Sequence, residues 1–457
     1  MDFLERGSAE MMGIFYRFKN RNFEGSEGQA IKNSTFLLLT TIIAKVGSLL
    51  FTLIIARLLM PELFGLYSLA LGTIVLFAGF SDFGISSAMV TFVAKSLGKD
   101  DPEKAKAYFK KLIKAKYLVV LLATFVLLGA AYFVANSYYN KPIFYALLAG
   151  GLYLPISSIL GFIDGIFRAV NKFNFILIKE VLYQFLRLSL VPLAIFFLLK
   201  TNIEEGFLLA IIIFILSICL GVSLAILVFF SKRKISFLNS KMKKLTIFEK
   251  KNLIKFTIPI TFIVLSSAFF GYIDTIMLGR FVTGEFLGYY AAAFSLVASI
   301  SAIISFSSGA LFPIFARLKG KKLETGFRKT RLITFAISLM AAIITFFLAK
   351  YLILIAYGKD YLTSIFLLKL FAVFVLMGPI IGLYESYFIS QEKTKTIAIL
   401  LIITTIINIV LNIVFISYGL KFGMYEAILG AAIATLISRG IYLFGLGVWK
   451  KFKNKFP

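Results

Sequence analysis

The sequence predicts an all-α polytopic membrane protein: about twelve transmembrane helices in two pseudo-symmetric six-helix lobes around a central cavity. Three observations carry this. The 457 residues are 60% hydrophobic, with a mean hydropathy of +0.93, where soluble domains run near half apolar. Apolar runs of about 20 residues, the length that crosses a hydrocarbon core of roughly 30 Å, recur along the chain. They lack the short alternating pattern of a membrane β-barrel. Finally, one hairpin is written twice. ARLLMPELFGLYSLAL (Ala56–Leu71) and GRFVTGEFLGYYAAAF (Gly279–Phe294) share Arg57/Arg280, Glu62/Glu285, Gly65/Gly288 and Tyr67/Tyr290.

In order, the apolar runs place spans at roughly 34–58, 63–90, 116–138, 143–167, 174–199, 207–230, 256–280, 286–314, 332–356, 362–389, 396–418 and 423–448. The loops alternate between very short and strongly basic. Most of the 49 Lys and Arg fall in 1–33, 91–115, 168–173, 231–255, 315–331, 390–395 and 449–457. Positively charged loops stay in the cytoplasm, so both termini are expected there, on a multi-pass protein of the cell membrane. The stretch 1–32 mixes acids, bases and glycines, unlike a cleavable signal. Within it, Met11–Phe23 reads either as a surface amphipathic helix or as a disordered tail.

Six spans per half is an even number, so both halves begin on one side and the repeat is parallel. The expected division is a cytoplasmic segment 1–33, an N-lobe 34–230, a basic linker 231–255, a C-lobe 256–448 and a tail 449–457. The repeated hairpin joins the first two helices of each lobe, and Gly65 and Gly288 allow close helix contact. Farther on, FVAK (Phe92–Lys95) falls opposite FARL (Phe315–Leu318). Prolines at 155, 259, 313 and 379 mark bends or hinges. Lys110–Lys116 and Lys243–Phe256 read as interfacial helices or as plain positive-inside loops.

Histidine is absent and Cys219 is the sole cysteine. That removes the commonest general base and metal ligand and any intrachain disulfide. A formal charge of +27 suggests nucleic acid in a soluble protein. Here the basic residues sit in short loops between apolar spans, so no nucleic-acid partner is expected.

Ionisable residues inside the spans are the functional signal. They are Lys45, Asp82, Asp164, Lys179, Glu180, Arg187, Asp274, Lys369, Glu385 and Arg439. Each costs about 2.5–3.5 kcal/mol at the bilayer centre on the insertion scale, so they are expected to pair, line a wet cavity or lie near an interface. Asp164 and Glu385 lie near cytoplasmic helix ends and read as hydrated. Lys179 and Glu180 point about 100° apart and are not expected to face one another. Lys45 and Asp82 read as a structural ion pair or as part of a substrate site with Arg187, Lys369 and Arg439. The basic excess of this set suits an anionic head group such as phosphate or diphosphate. Asp274, in GYIDTIMLGR, precedes Asn408 and Asn412, which lie four apart on one helix face. With Thr404 or Thr405 these oxygens suit Na+, or Asp274 a proton; the alternative is hydrogen bonding between helices. No catalytic or metal centre is expected.

The stretch Ala56–Lys95 resembles the second-helix region of polysaccharide-exporting flippases of the O-antigen and teichoic-acid type, in the multidrug/oligosaccharidyl-lipid/polysaccharide (MOP) superfamily. DGIFRAVNKFNF (Asp164–Phe175), YQFLRLSLV (Tyr183–Val191), Tyr272–Phe294 and Asn408–Ser438 extend the resemblance over the chain from about residue 33. It implies two six-helix bundles that open alternately to either side. The implied substrate is a glycan on polyprenyl phosphate or diphosphate, moved from the inner to the outer leaflet. No cofactor is implied beyond a coupling Na+ or H+; implied partners are membrane lipids and a polysaccharide polymerase or glycosyltransferases. Lys45 matches the basic cavity residue expected on the first helix, while the counterpart helix carries Asp274 instead. Twelve spans fit the O-antigen type better than relatives with fourteen. Two other readings stay open: a cation antiporter of the same superfamily, with an acidic site, and a membrane glycosyltransferase or ligase, which needs larger external loops.

Overall fold

A computed structural model describes the backbone of residues 25–201, 203–317, 320–391 and 393–453. Among these the chain is helical with no strand: α1 Gly25–Phe80, α2 Ile85–Leu97, α3 Pro102–Tyr132, α4 Phe144–Ala169, α5 Phe173–Leu198, α6 Glu205–Lys234, α7 Ile247–Phe281, α8 Gly284–Arg317, α9 Gly320–Phe347, α10 Ala349–Ala356, α11 Ser364–Ser390, α12 Thr394–Gly419 and α13 Met424–Lys453. Among the described residues, eleven helices are long and apolar enough to cross a membrane. The Met11–Phe23 expectation lies outside the described residues.

The first two expected spans form one hydrogen-bonded run, broken at Met60 (φ 60°, ψ 171°) just before Pro61. A proline has no N–H to give the preceding turn and bars helical geometry from the residue before it, so the reversal falls there. The second expected span ends early at Phe80. A turn through Gly84, at φ 69°, then starts α2. α3 begins 14 residues before the expected third span: Asp101 accepts the Lys104 N–H at 3.0 Å, with Pro102 in the first turn. The expected loop 91–115 is therefore largely helical. The ninth span divides at Leu348 into α9 and α10. By contrast, α4, α7 and α11 run through Pro155, Pro259 and Pro379 without interruption.

The linker is not a single interfacial helix. A 3-10 turn at Ser236–Asn239 leads to extended backbone, and α7 opens on a capping box between Thr246 and Glu249. The linker is clasped to the start of α3: Lys106 reaches the Ser240 carbonyl at 2.5 Å, Lys243 lies 3.5 Å from Asp101 and 3.4 Å from Glu103, and Lys104 pairs with Glu249. The Lys104 N–H that Asp101 caps holds its carboxyl below the usual value, and Asp101 raises the Lys243 ammonium in turn.

The halves meet along the repeated hairpin, where α1 packs on α8 and α7. A Cβ on Gly65 would fall 2.5 Å from the Gly288 nitrogen. One on Gly288 would fall 2.7 Å from the Pro61 carbonyl carbon. The two glycines thus let backbone meet backbone, as small residues do between membrane helices. The repeated arginine helps close this seam. Arg57 Nε donates to the Ala356 carbonyl at 2.9 Å and its Nη2 to the Ile355 carbonyl, while Tyr361 donates to the Ala56 carbonyl at 2.7 Å. At the opposite end, the Thr261 hydroxyl donates to the Phe83 carbonyl at 2.8 Å and Phe92 packs edge-on against Phe256.

Candidate functional site

The buried charges sort into three clusters, one in the first half, one at the α2 break and one in the second half. The first lies between α1, α4 and α5. Lys179 Nζ sits 2.9 Å from Asp164 and 3.1 Å from Glu180. This corrects the expectation that Lys179 and Glu180 do not face one another: side chains about 100° apart still meet when the long lysine bends back so that its ammonium lies between two carboxylates. Asp164 is accordingly paired, not merely hydrated. Glu180 accepts from Gln184 at 2.6 Å, and Gln184 accepts from Arg187 Nε at 2.8 Å. These residues recur every three or four positions, so α5 presents one polar stripe to α1. There Gly47 leaves room for Gln184.

Arg187 ends the chain of bonds. It donates to Ser48 at 2.8 Å, and its guanidinium lies 4.7 Å from the Phe51 ring centre and 5.0 Å from that of Tyr183. Among the described residues it has no carboxylate partner. Lys45 is exposed and stands one helical turn before Ser48. Two carboxylates thus face three cations in this group, leaving one positive charge in excess.

The second cluster overturns the Lys45–Asp82 pair. Asp82 lies at the break before α2, where Lys116 of α3 binds it at 2.7 Å and also reaches the Ser81 carbonyl at 3.1 Å. Ser86 donates to the same carboxylate. Lys116 is buried, so it is neither interfacial nor snorkelling.

The third cluster is the second half's polar core. Asp274 of α7 is buried and accepts three hydrogen bonds: from Tyr290 of α8 at 2.7 Å, from Asn412 of α12 at 2.7 Å, and from Thr435 of α13. Asn408 stands one turn from Asn412 and donates to Thr435 at 3.2 Å and Ser438 at 3.0 Å. The amide oxygens of Asn408 and Asn412 are buried with no hydrogen-bond partner. Thr404 and Thr405 bond back to carbonyls of their own helix at 2.7 Å and stay out of the group. Sequence reasoning missed Thr435, Ser438 and the role of Tyr290. The i, i+3 spacing of Thr435 and Ser438 and the repeat position of Tyr290 were the available signals.

The remaining candidates stand apart. The Arg439 guanidinium lies 4.1 Å from the Phe270 ring centre and 5.7 Å from that of Phe374, and its Nε has no partner. Glu385 accepts from Tyr442 at 2.9 Å. Lys369 faces an apolar groove between α9 and α11, 5.6 Å from the Phe346 ring centre. Lys45, Asp82, Arg187, Lys369 and Arg439 therefore do not form one cluster; Lys45 and Arg187 are linked only through Ser48, which Arg187 bonds one helical turn from Lys45.

The family model described as "Polysaccharide biosynthesis protein" matches residues 30–319, well over half of the chain, and the MatE model matches residues 259–414. Stage V sporulation protein B of Bacillus subtilis (strain 168) is 26% identical over 175 residues, 38% of this chain and 34% of that protein. The match thus spans about a third of that relative's length. Among solved structures, an inward-facing multidrug resistance MATE family transporter of the MOP superfamily superposes with a TM-score of 0.70 at 15% identity, over 92% of this chain and all of that one. The lipid II flippase MurJ, in an inward closed conformation, superposes with a TM-score of 0.66 at 17% identity, over 91% and 87% of the two chains. These structures share the fold.

Proposed function

Because this chain belongs to the family described as polysaccharide biosynthesis protein, we propose that it is a flippase of the MOP superfamily for glycans carried on polyprenyl phosphate or diphosphate. It moves them from the cytoplasmic to the outer leaflet by alternating access between a 34–230 lobe and a 256–448 lobe. Both termini are cytoplasmic, in the plasma membrane. The observation that carries this reading is the unpaired cationic charge of Arg187 beside Lys45. Held by Gln184 and Ser48 and packed against the Phe51 and Tyr183 rings, the guanidinium keeps its geometry, and with no carboxylate partner among the described residues its charge is one a phosphate would neutralise. Desolvating an Arg without a carboxylate is costly, and an anionic substrate offsets that cost. Glycosyltransferases or a polymerase that make and consume the lipid-linked glycan are the partners this implies.

The Asp274 cluster is the proposed coupling site. Its donor set is a carboxylate, two amide oxygens and a hydroxyl, the hard oxygen ligands that suit Na+; the same carboxylate can instead carry a proton. A second reading, a cation antiporter, draws on this acidic centre, but Arg187 and Lys45 repel its substrate.

The test is reconstitution in liposomes that carry a lipid-linked oligosaccharide, with an added glycosidase reporting transfer between leaflets. Fast transfer that is lost in Lys45→Ala and Arg187→Ala is the expected result. Transfer no faster than in empty liposomes, with robust export of a cationic dye, would sink the flippase reading in favour of the antiporter.

A further inference from the structure

At the membrane face where the basic loops lie, α9 and α13 line a pocket remote from the clusters above. Its volume is about 270 Å³, and Glu324, Thr325, Phe327, Arg328, Arg331 and Lys450 line it. Three cations face one carboxylate. Glu324 spends its oxygens on Lys450 and on the Tyr387 hydroxyl, which donates at 2.9 Å. The Lys450 ammonium is fixed further by two rings, Phe327 at 4.5 Å and Tyr387 at 5.0 Å from their centres. Arg331 Nη1 donates to the Tyr384 hydroxyl at 3.2 Å. That bond orients the guanidinium without neutralising it. Arg328 is exposed. Among the described residues neither guanidinium has a carboxylate partner.

The depth of the pocket identifies the occupant. Charged residues on α9 stop at Arg331, and the polar residues beyond it, Thr334, Ser338 and Thr345, are buried. The residues that follow include Leu332, Ile333 and Phe335, exposed to 57%, 46% and 44%, and they continue as the lipid-facing side of a peripheral helix. The cations therefore sit at the level where hydrocarbon gives way to head groups. Trp449, next to Lys450, is 42% exposed, which is the interfacial position tryptophan favours. Guanidinium forks match phosphate oxygens in pairs, and basic pockets between membrane helices hold anionic head groups. We propose that Arg328, Arg331 and Lys450 form a binding site for the phosphate of an anionic membrane lipid, whose acyl chains run along Leu332 and Phe335.

Trp449 makes the proposal directly measurable, since it is the only tryptophan in the chain. The full chain is reconstituted in phosphatidylcholine bilayers containing rising fractions of dibrominated phosphatidylglycerol or dibrominated phosphatidylcholine. Bromine quenches the indole only from nearby acyl chains. The expected result is stronger quenching by the anionic lipid, with its preference falling by about fivefold for each guanidinium removed. The double variant Arg328→Gln/Arg331→Gln should show nearly equal quenching by the two lipids. Lys232→Gln/Arg233→Gln, which removes equal charge from the end of α6 in the other half, should leave the preference intact. An unchanged emission maximum in the variants verifies that they are folded and inserted. Equal quenching in the wild type, or an equal loss in the α6 variant, would overturn the site. Loss of the preference on adding millimolar inorganic phosphate, but not chloride of the same ionic strength, would overturn its assignment to a lipid.

Discussion

Adding one methyl group at Gly65 tests whether the repeated hairpin is the contact that keeps one side of the protein shut. The added Cβ would stand 2.5 Å from the Gly288 nitrogen and 2.9 Å from the Gly284 carbonyl carbon, whereas ordinary contact begins at 3.4 Å. The Gly284 carbonyl oxygen lies nearer still, so the facing backbone must withdraw by more than about 0.9 Å. Both sides of the contact are helix backbone, so no side chain can rotate away. Overpacking of this kind costs about 1–3 kcal/mol, and the cost falls only on the state in which the seam is closed. The closed-to-open ratio should drop by about 5- to 150-fold. The assay is the labelling rate of Leu66→Cys by a membrane-impermeant maleimide. Leu66 is 3% exposed and packs beside Gly284, so its labelling reports opening. The native Cys219 is buried and is replaced by alanine in this background. Gly161→Ala serves as control, because a Cβ there meets nothing within 4 Å. Gly65→Ala should raise the labelling rate within that range, and Gly161→Ala should not. An unchanged rate in a folded, transport-competent Gly65→Ala protein would refute the reasoning.

Other outcomes follow from the same geometry. Lys116→Met strands the Asp82 carboxylate, which should lower thermal stability in detergent by about 3–5 kcal/mol, and adding Asp82→Asn should recover most of the loss. Arg57→Ala removes two donors to the carbonyls of Ile355 and Ala356; labelling of Leu66→Cys should rise without any change in steric bulk. Asp274→Asn should leave the protein folded but abolish the dependence of transfer on a Na+ or H+ gradient, and retained dependence would remove the coupling role. Thr246→Ala breaks the capping box of α7 at a cost of about 1 kcal/mol, so amide exchange at residues 247–250 should quicken about fivefold.

The sequence alone determined the architecture and the family. Span length, the absence of long polar stretches and the basic bias of alternate loops are local properties, set by the thickness of the bilayer and the cost of charge within it. The doubled hairpin was legible because Gly65, Gly288 and Arg57 are required by backbone contact, and that requirement shows in the sequence. Asn408 and Asn412 were read together because four residues fix one face of a helix whatever surrounds it. Partnership between helices was not legible. Asp82 pairs with Lys116 and not Lys45, because the break after Phe80 swings Asp82 toward α3, and no spacing within either helix encodes that rotation. Asp274 gathers Tyr290, Asn412 and Thr435 from three other helices, and Lys369 turns to a groove between α9 and α11. A charge inside a membrane must find a partner, so sequence announces that a bond exists. Which bond forms depends on the rotation and depth of each packed helix, and only the tertiary structure decides those.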